Sequence, residues 1–432
     1  RSARLLDQRP RRRKSGEMTR SLSIAIWMLA LVAPAACASS GDGLTSATTS
    51  DQPVTLTEAP STTTTVAEPP PTVQSTTAAT STTITAGSTT TTTVVPAASR
   101  TLALVDTIAD QRLQPKSVVA TPTGLLFAQN MMYRHNVMVL NEHGEIIQVI
   151  DDEIDPASFG LEGPVVRGSP VEAAVAPDAR HVYVSNYKLY GAGYRSDADD
   201  NCDAGAWEDS LVFRIDTETL AIDGAVTVGA VPKFMAVTPD GTRLLVANWC
   251  GFDVSVIDLA SFTEVARIPV GRHPRGLAVS SDSTTAYVAV MGAGIIRTID
   301  LASLEVNGEV VDAGPTPRHL VLSDDDRFLF VTNNYGDTVR KLDLAGRESP
   351  IIRSVPSRPR TMVASDDGSS LYVVSYDADT LTVLRATDLE ILQQLPTGDR
   401  PIGVTFEERT RSVWVANYSG SLMRFAFTDL AD

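Results

Sequence analysis

Five cations stand one residue after a recurring proline: Lys116, Lys233, Arg275, Arg318 and Arg360. His273 and His319 lie beside this set, and Arg272, Arg358 and Arg400 crowd the same turns. The prolines are Pro115, Pro170, Pro232, Pro274, Pro317, Pro359 and Pro401, so five of seven such turns carry a charge. If the fold gathers those turns, the product is an anion site, because Arg offers planar paired donors to a carboxylate or phosphate. The alternative is that each cation is taken up by an acidic neighbour or a carbonyl of its own turn, and the cluster is structural.

A second constellation is "DADDNCDAGAWE", which sets Asp197, Asp199, Asn201, Asp203 and Glu208 at positions 1, 3, 5, 7 and 12 of a calcium-loop spacing. Hard oxygens at alternate positions can wrap one Ca²⁺. Cys202 stands where that loop's sharp turn favours Gly, and no flanking helices are evident, so a solvated acidic loop competes with the metal site. Cys202 and Cys250 are the only cysteines after residue 100. In an exported chain such a pair favours a disulfide, and closing that loop contributes about 4 kcal/mol in the chain-entropy model. The histidines His135, His143, His181, His273 and His319 show no metal-ligand spacing, and no haem-attachment, Walker, GxSxG or dinucleotide motif is present. Trp249 and Trp414 read as packing residues on strands; Arg134 and His135, in the first unit's loop, are further candidates for the basic cluster.

The elements that must position these residues repeat. The last four proline intervals, from Pro232 to Pro401, are 42, 43, 42 and 42 residues, and the two earlier ones, 55 and 62, are longer by about one loop each. A second marker, the end of each "VxN" run, keeps the same phase at Gln129, Asn186, Asn248, Val290, Asn333, Ser375 and Asn417. Each unit reads as four short strands: "KFMAVTP", an Asp240-Gly241 hairpin turn, "RLLVAN", "VSVIDL" and "EVARIPV". Four strands in a period of the low forties predict a blade, and seven units predict a seven-bladed all-β propeller of antiparallel sheets. The last unit ends at "SLMRFAFTDLAD" with no fourth strand, and Thr101–Ile108 is placed to supply it, closing the ring and removing two free edges. The first strand of each blade is innermost, so the five cations are expected around one mouth of the central channel. Both long insertions, residues 151–169 and 188–210, fall on that same face, which makes it the face to carry function.

The runs "YVSNY", "LVANW", "FVTNN" and "WVANY", with "VSVID", "IPVG" and "TPDG", resemble the YVTN-type β-propeller repeat family from about Thr101 to Leu430. The resemblance implies a scaffold used by binding proteins, lactone-opening enzymes and redox partners, and fold alone does not choose among them.

Composition supplies the rest. "MTRSLSIAIWMLALVAPAAC" has an export-signal pattern: Arg20, an apolar run too short to span a bilayer, and small residues before Cys37. Ala35-Ala36-Cys37 is similar to the end of a lipobox, which makes residues 1–37 a lipoprotein signal with diacylglycerol on Cys37; secretion after ordinary cleavage is the alternative. Residues 38–100, dominated by Thr, Ser, Ala and Pro, cannot bury a core and read as a disordered stalk suited to O-glycosylation. Net charge is −16 overall, and −22 once the eight cations and two acids of the first 36 residues are set aside. Such a body repels polyanions and argues against nucleic-acid binding. The expected function is that of a surface-tethered, monomeric, non-enzymatic binding propeller that presents its mouth to a protein, a glycan or a small anion. The rival is a lactonase-like hydrolase in which Arg275, Arg318 and Arg360 hold the anion and His273 or His319 activates water.

Overall fold

After residue 100 the apolar runs are short and separated by turns, and the strands they form are two to eight residues long. A computed structural model describes residues 95–195, 200–202 and 207–428; Cys37, Asp197, Asp199 and Asp203 lie outside them. Among the described residues the only helical segments are two 3-10 turns.

Seven four-stranded antiparallel sheets form the blades of a propeller. Their innermost strands are Ser117–Ala120, Pro170–Val175, Pro232–Val237, Pro274–Val279, Pro317–Leu322, Pro359–Ala364 and Pro401–Glu407 in blades 1 to 7. Each innermost strand packs on the next, and that of blade 7 packs on that of blade 1, so the ring is closed. The core lies between blades: Leu245 and Val256 of blade 3, for example, meet Leu277 and Val288 of blade 4. Trp414, fully buried, fills the seam between blade 7 and Leu126 and Met138 of blade 1.

The outer strand of blade 7 is the N-terminal strand β1, Leu102–Ala109, paired antiparallel with Ser421–Phe427. The packed chain starts ahead of it, so the stalk boundary expected at residue 100 falls too late. Ala97 N–H donates to Asp367 Oδ2 at 2.8 Å, Ala98 N–H donates to Ser369 Oγ at 3.0 Å, and the Arg100 guanidinium lies 4.3 Å from the Phe427 ring centre. These groups give residues 97–100 partners on blades 6 and 7 that composition does not disclose.

The recurring asparagine has a defined task. Asn186 Oδ1 accepts the N–H of Ser169, and Asn333 Oδ1 that of Thr316, each the residue before the blade's proline. In blade 1 the same bond, from Gln114 N–H at 2.7 Å, goes to Asn130. The phase residue of that blade is therefore Asn130 and not Gln129, which instead faces Ser117.

The connection from blade 1 to blade 2 carries its own hairpin, Glu153–Ile154 with Val166–Arg167, and buries Asp152 beneath it. Arg167 Nη1 stands 3.4 Å from Asp152 Oδ1, while Oδ2 has no hydrogen-bond partner and lies 3.9 Å from His135 Nδ1. Burial pushes the carboxyl up to about 8, against the opposing pull of Arg167. A carboxyl raised in the folded state makes that state hold its proton longer, so stability falls as pH rises from about 4 through 8. Asp152→Asn is expected to match the parent in thermal melts at pH 4.5 and to exceed it by roughly 2–4 kcal/mol at pH 9. Parallel stability curves for the two proteins across that range would contradict this assignment.

Candidate functional site at the channel mouth

Blades 3, 4, 6 and 7 build the same corner. The residue before the proline adopts a left-handed conformation in Val231, His273, Arg358 and Arg400, with φ from 55° to 60°. That turn aims its carbonyl at the residue following the second strand: Trp249, Met291, Tyr376 and Tyr418 donate their N–H groups to these four in order. The strained conformation is unusual for residues other than glycine. The proline removes the helical option for the residue before it, and the hydrogen bond holds the turn. Two side chains per blade are thereby aimed at the mouth: the one after the proline and the one after the second strand.

The first set is the cation cluster. Lys233, Arg275 and Arg318 are buried, and Lys116 and Arg360 are half-buried. The five act on one another: burial lowers the Lys116 ammonium well below the lysine range, and Lys233, Arg275, Arg360 and Arg318 lower it further. Burial, then Arg275, brings Arg360 to about 10; burial, then Arg360 and Arg275, depresses Arg318. Among the described residues two carboxylates answer five cations. Glu172, two residues after Pro170, meets Arg275 at 2.7 Å with both side chains buried, a pair that joins blades 2 and 4. Asp200 reaches Lys233 Nζ at 3.1 Å and keeps more than half of its side chain exposed. Burial alone would raise the Asp200 carboxyl, but Lys233 and a bond from Tyr187 hold it below its ordinary value. Burial lowers Lys233 to about 8, with Asp200 opposing. Lys116, Arg318 and Arg360 have no carboxylate at ion-pair distance among the described residues, and Arg360 Nε has no hydrogen-bond acceptor.

The second set is aromatic. The Lys233 ammonium lies 4.1 Å from the Tyr187 ring centre and 5.8 Å from that of Trp249. Arg360 sits 4.2 Å from Tyr376, and Lys116 5.3 Å from Tyr418. Cations held on ring faces lose little of their field toward the channel. Trp249 is thus a mouth residue beyond the strand end, not a strand packing residue as expected. It stacks on His273 at 4.3 Å, and its Nε1–H donates to the Asp200 carbonyl. Trp414 packs in the core. Four of the seven residues following the phase marker are aromatic, as in "SNY" and "ANW"; that alternation was the available signal for these rings. For Glu172 the signal was an acid breaking the apolar "PVEAAV".

A disulfide between Cys202 and Cys250, Cα atoms 5.3 Å apart, joins the blade 2 insertion to the blade 3 loop beside Trp249 and so fixes Asp200 over the mouth. Below the cations, Phe234 of blade 3 and His319 of blade 5 meet edge to face at 4.6 Å across the inner strand of blade 4. Gly276 permits this, since a Cβ there would lie 2.6 Å from the Arg318 carbonyl oxygen. His319 therefore belongs to the floor and not to the charged ring. Burial brings it down to about 3, so it is neutral.

Of the other candidates, His135 donates its Nδ1–H to the Gly168 carbonyl at 3.0 Å and packs on Tyr190 in the blade 1–2 loops. Arg358 pairs with Asp377 at 3.1 Å. Asn201 and Glu208 are the described members of the calcium spacing; Asp200, which the spacing passes over, is committed to Lys233. Among the described residues, His181, Asp216 and Asp223 alone bring three potential ligand atoms within 4.8 Å, and Asp223 is engaged there by Arg214 at 2.8 Å.

No family model and no curated protein matches this sequence. Among solved structures, the chain is similar to the hydrazine synthase of Kuenenia stuttgartiensis, with a TM-score of 0.59 at 18% identity over 75% of this chain and 98% of that one. At that identity the likeness is one of fold, the seven-bladed propeller, and carries no activity across.

Proposed function

We propose that this chain is a non-enzymatic binding propeller of the YVTN-repeat type whose channel mouth holds a small, multiply charged anion. Tethering through a lipid on Cys37 is part of the same reading, and loss of fatty-acid labelling in Cys37→Ala checks it. The observation that carries the anion site is the charge imbalance in a half-buried cup: among the described residues, five cations meet two carboxylates, and three of the cations have no acidic partner at ion-pair distance. Buried like charges cost stability unless something neutralises them, and a ligand with two or three negative charges does so here. The aromatic rims favour a planar or carbon-bearing anion over a bare ion. The lactonase-like alternative asks His273 or His319 to activate water; His319 is a neutral imidazole packed on Phe234, and His273 is stacked on Trp249.

Calorimetric titration with citrate and inorganic phosphate tests the reading. Arg318→Met is expected to weaken binding about 10- to 100-fold, the worth of a charge-assisted hydrogen bond. The same substitution should raise the melting temperature of the ligand-free protein, because it removes an unpaired buried charge. Binding and melting both untouched by Arg318→Met would overturn the proposal.

A further inference from the structure

One amine in the mouth differs from the other cations. Lys116 has no carboxylate partner among the described residues, whereas Lys233 has Asp200. It is half-buried and rests 5.3 Å from the Tyr418 ring centre. Among the described residues the charged groups that act most on it are Lys233, Arg275, Arg360 and Arg318, and Asp200 opposes them from beyond ion-pair distance. Glu172 and Asp200, the two described acids of the cup, pair with Arg275 and Lys233, and neither reaches Lys116 at ion-pair distance.

We infer that Lys116 is a nucleophilic amine which captures the carbonyl carbon of a 2-oxo acid as an imine, while Arg318 and Arg360 hold the carboxylates. This deepens the anion-site reading and rests on it. An ammonium surrounded by cations and taken partly out of water gives up its proton, and the free amine is the form that attacks a carbonyl. The depression of Lys116 below the lysine range, by burial first and its cationic neighbours next, has that direction. The step balances without a further reactant. The Nζ lone pair forms a C–N bond, the C=O oxygen leaves as water with both amine hydrogens, and C=N replaces C=O. No electrons are transferred. A proton taken up by the imine nitrogen gives an iminium whose charge the ligand's carboxylates offset. An imine within a cationic cup is reversible by water, so the result is capture and release and not a modification.

The probe pair is 2-oxoglutarate and 2-hydroxyglutarate, equal in charge and differing in the carbonyl. The full chain is incubated with each at pH 6.5, treated with cyanoborohydride, and analysed by intact mass and peptide mapping. One reduced adduct on the peptide bearing Lys116 is expected with the oxo acid and none with the hydroxy acid. Citrate should suppress it. Lys116→Arg should form at least about tenfold less adduct with the oxo acid. Equal calorimetric binding of both acids without an adduct overturns the inference and leaves the anion site standing. Failure of both acids and citrate to bind removes the anion site and the inference with it. Adduct spread over exposed lysines, or undiminished in Lys116→Arg, also overturns it.

Discussion

A chain that begins at Gln111 should melt about 10 °C below one that begins at Val95, and should aggregate on standing. The two differ by β1 and the turn before it. β1 supplies seven residue pairs to Ser421–Phe427, from Leu102 opposite Phe427 to Ala109 opposite Ser421. Its loss exposes that strand as an edge, with the buried Leu422, Phe425 and Phe427 on it, and leaves Asp367 and Ser369 of blade 6 without the Ala97 and Ala98 donors. Each large apolar side chain returned to water costs about 1.5–3 kcal/mol, and two or three of them account for roughly 5 kcal/mol, or about 10 °C in a chain of this size. The free edge is also a template for a second chain. A synthetic peptide of residues 95–110 should restore much of the loss by adding itself as a strand. Melting temperatures within about 2 °C of each other would mean that the ring does not depend on β1 for closure.

Arg275→Ala should be the most damaging point change in the mouth, at about 3–5 kcal/mol in urea unfolding. The reason is not the strength of the Arg275–Glu172 bond but what its loss leaves behind. Glu172 is buried, and its partner at 2.7 Å is the one cation paired with it. Arg318 acts on Glu172 electrostatically but makes no ion pair with it, so it offsets only part of the desolvation. Glu172→Gln with Arg275→Met removes both charges together and should fall within about 1 kcal/mol of the parent, because replacing a buried pair by neutral side chains is often free of cost. The double-mutant cycle then gives a large coupling. If Arg275→Ala costs less than about 1 kcal/mol, the pair does not bind blades 2 and 4 across the channel.

These two expectations mark the division between pattern and packing. The period, the four-strand unit and the borrowed outer strand are local in sequence. Proline positions, Asx turns and the length of each apolar run decide them, and the propeller follows because four short strands at constant spacing leave no other way to bury both faces of every sheet. The basic ring was legible for the same reason: a residue at fixed phase in a repeat occupies a fixed place in the ring, so Lys116, Lys233, Arg275, Arg318 and Arg360 had to converge. What pairs with them was not legible. Glu172 answers Arg275 two blades away, and Asp200 enters from an insertion pinned by the Cys202–Cys250 bond. Neither obeys the repeat, and a charge partner is chosen by distance in space. His319 shows the limit most clearly, since its sequence position beside Arg318 suggested the mouth. Gly276 and Phe234, in two other blades, draw it into the floor instead. Repetition by itself determined the fold and gathered the cations. Only the closed ring decided which of them are neutralised, because burial and pairing across the channel depend on contacts between blades that no single unit encodes.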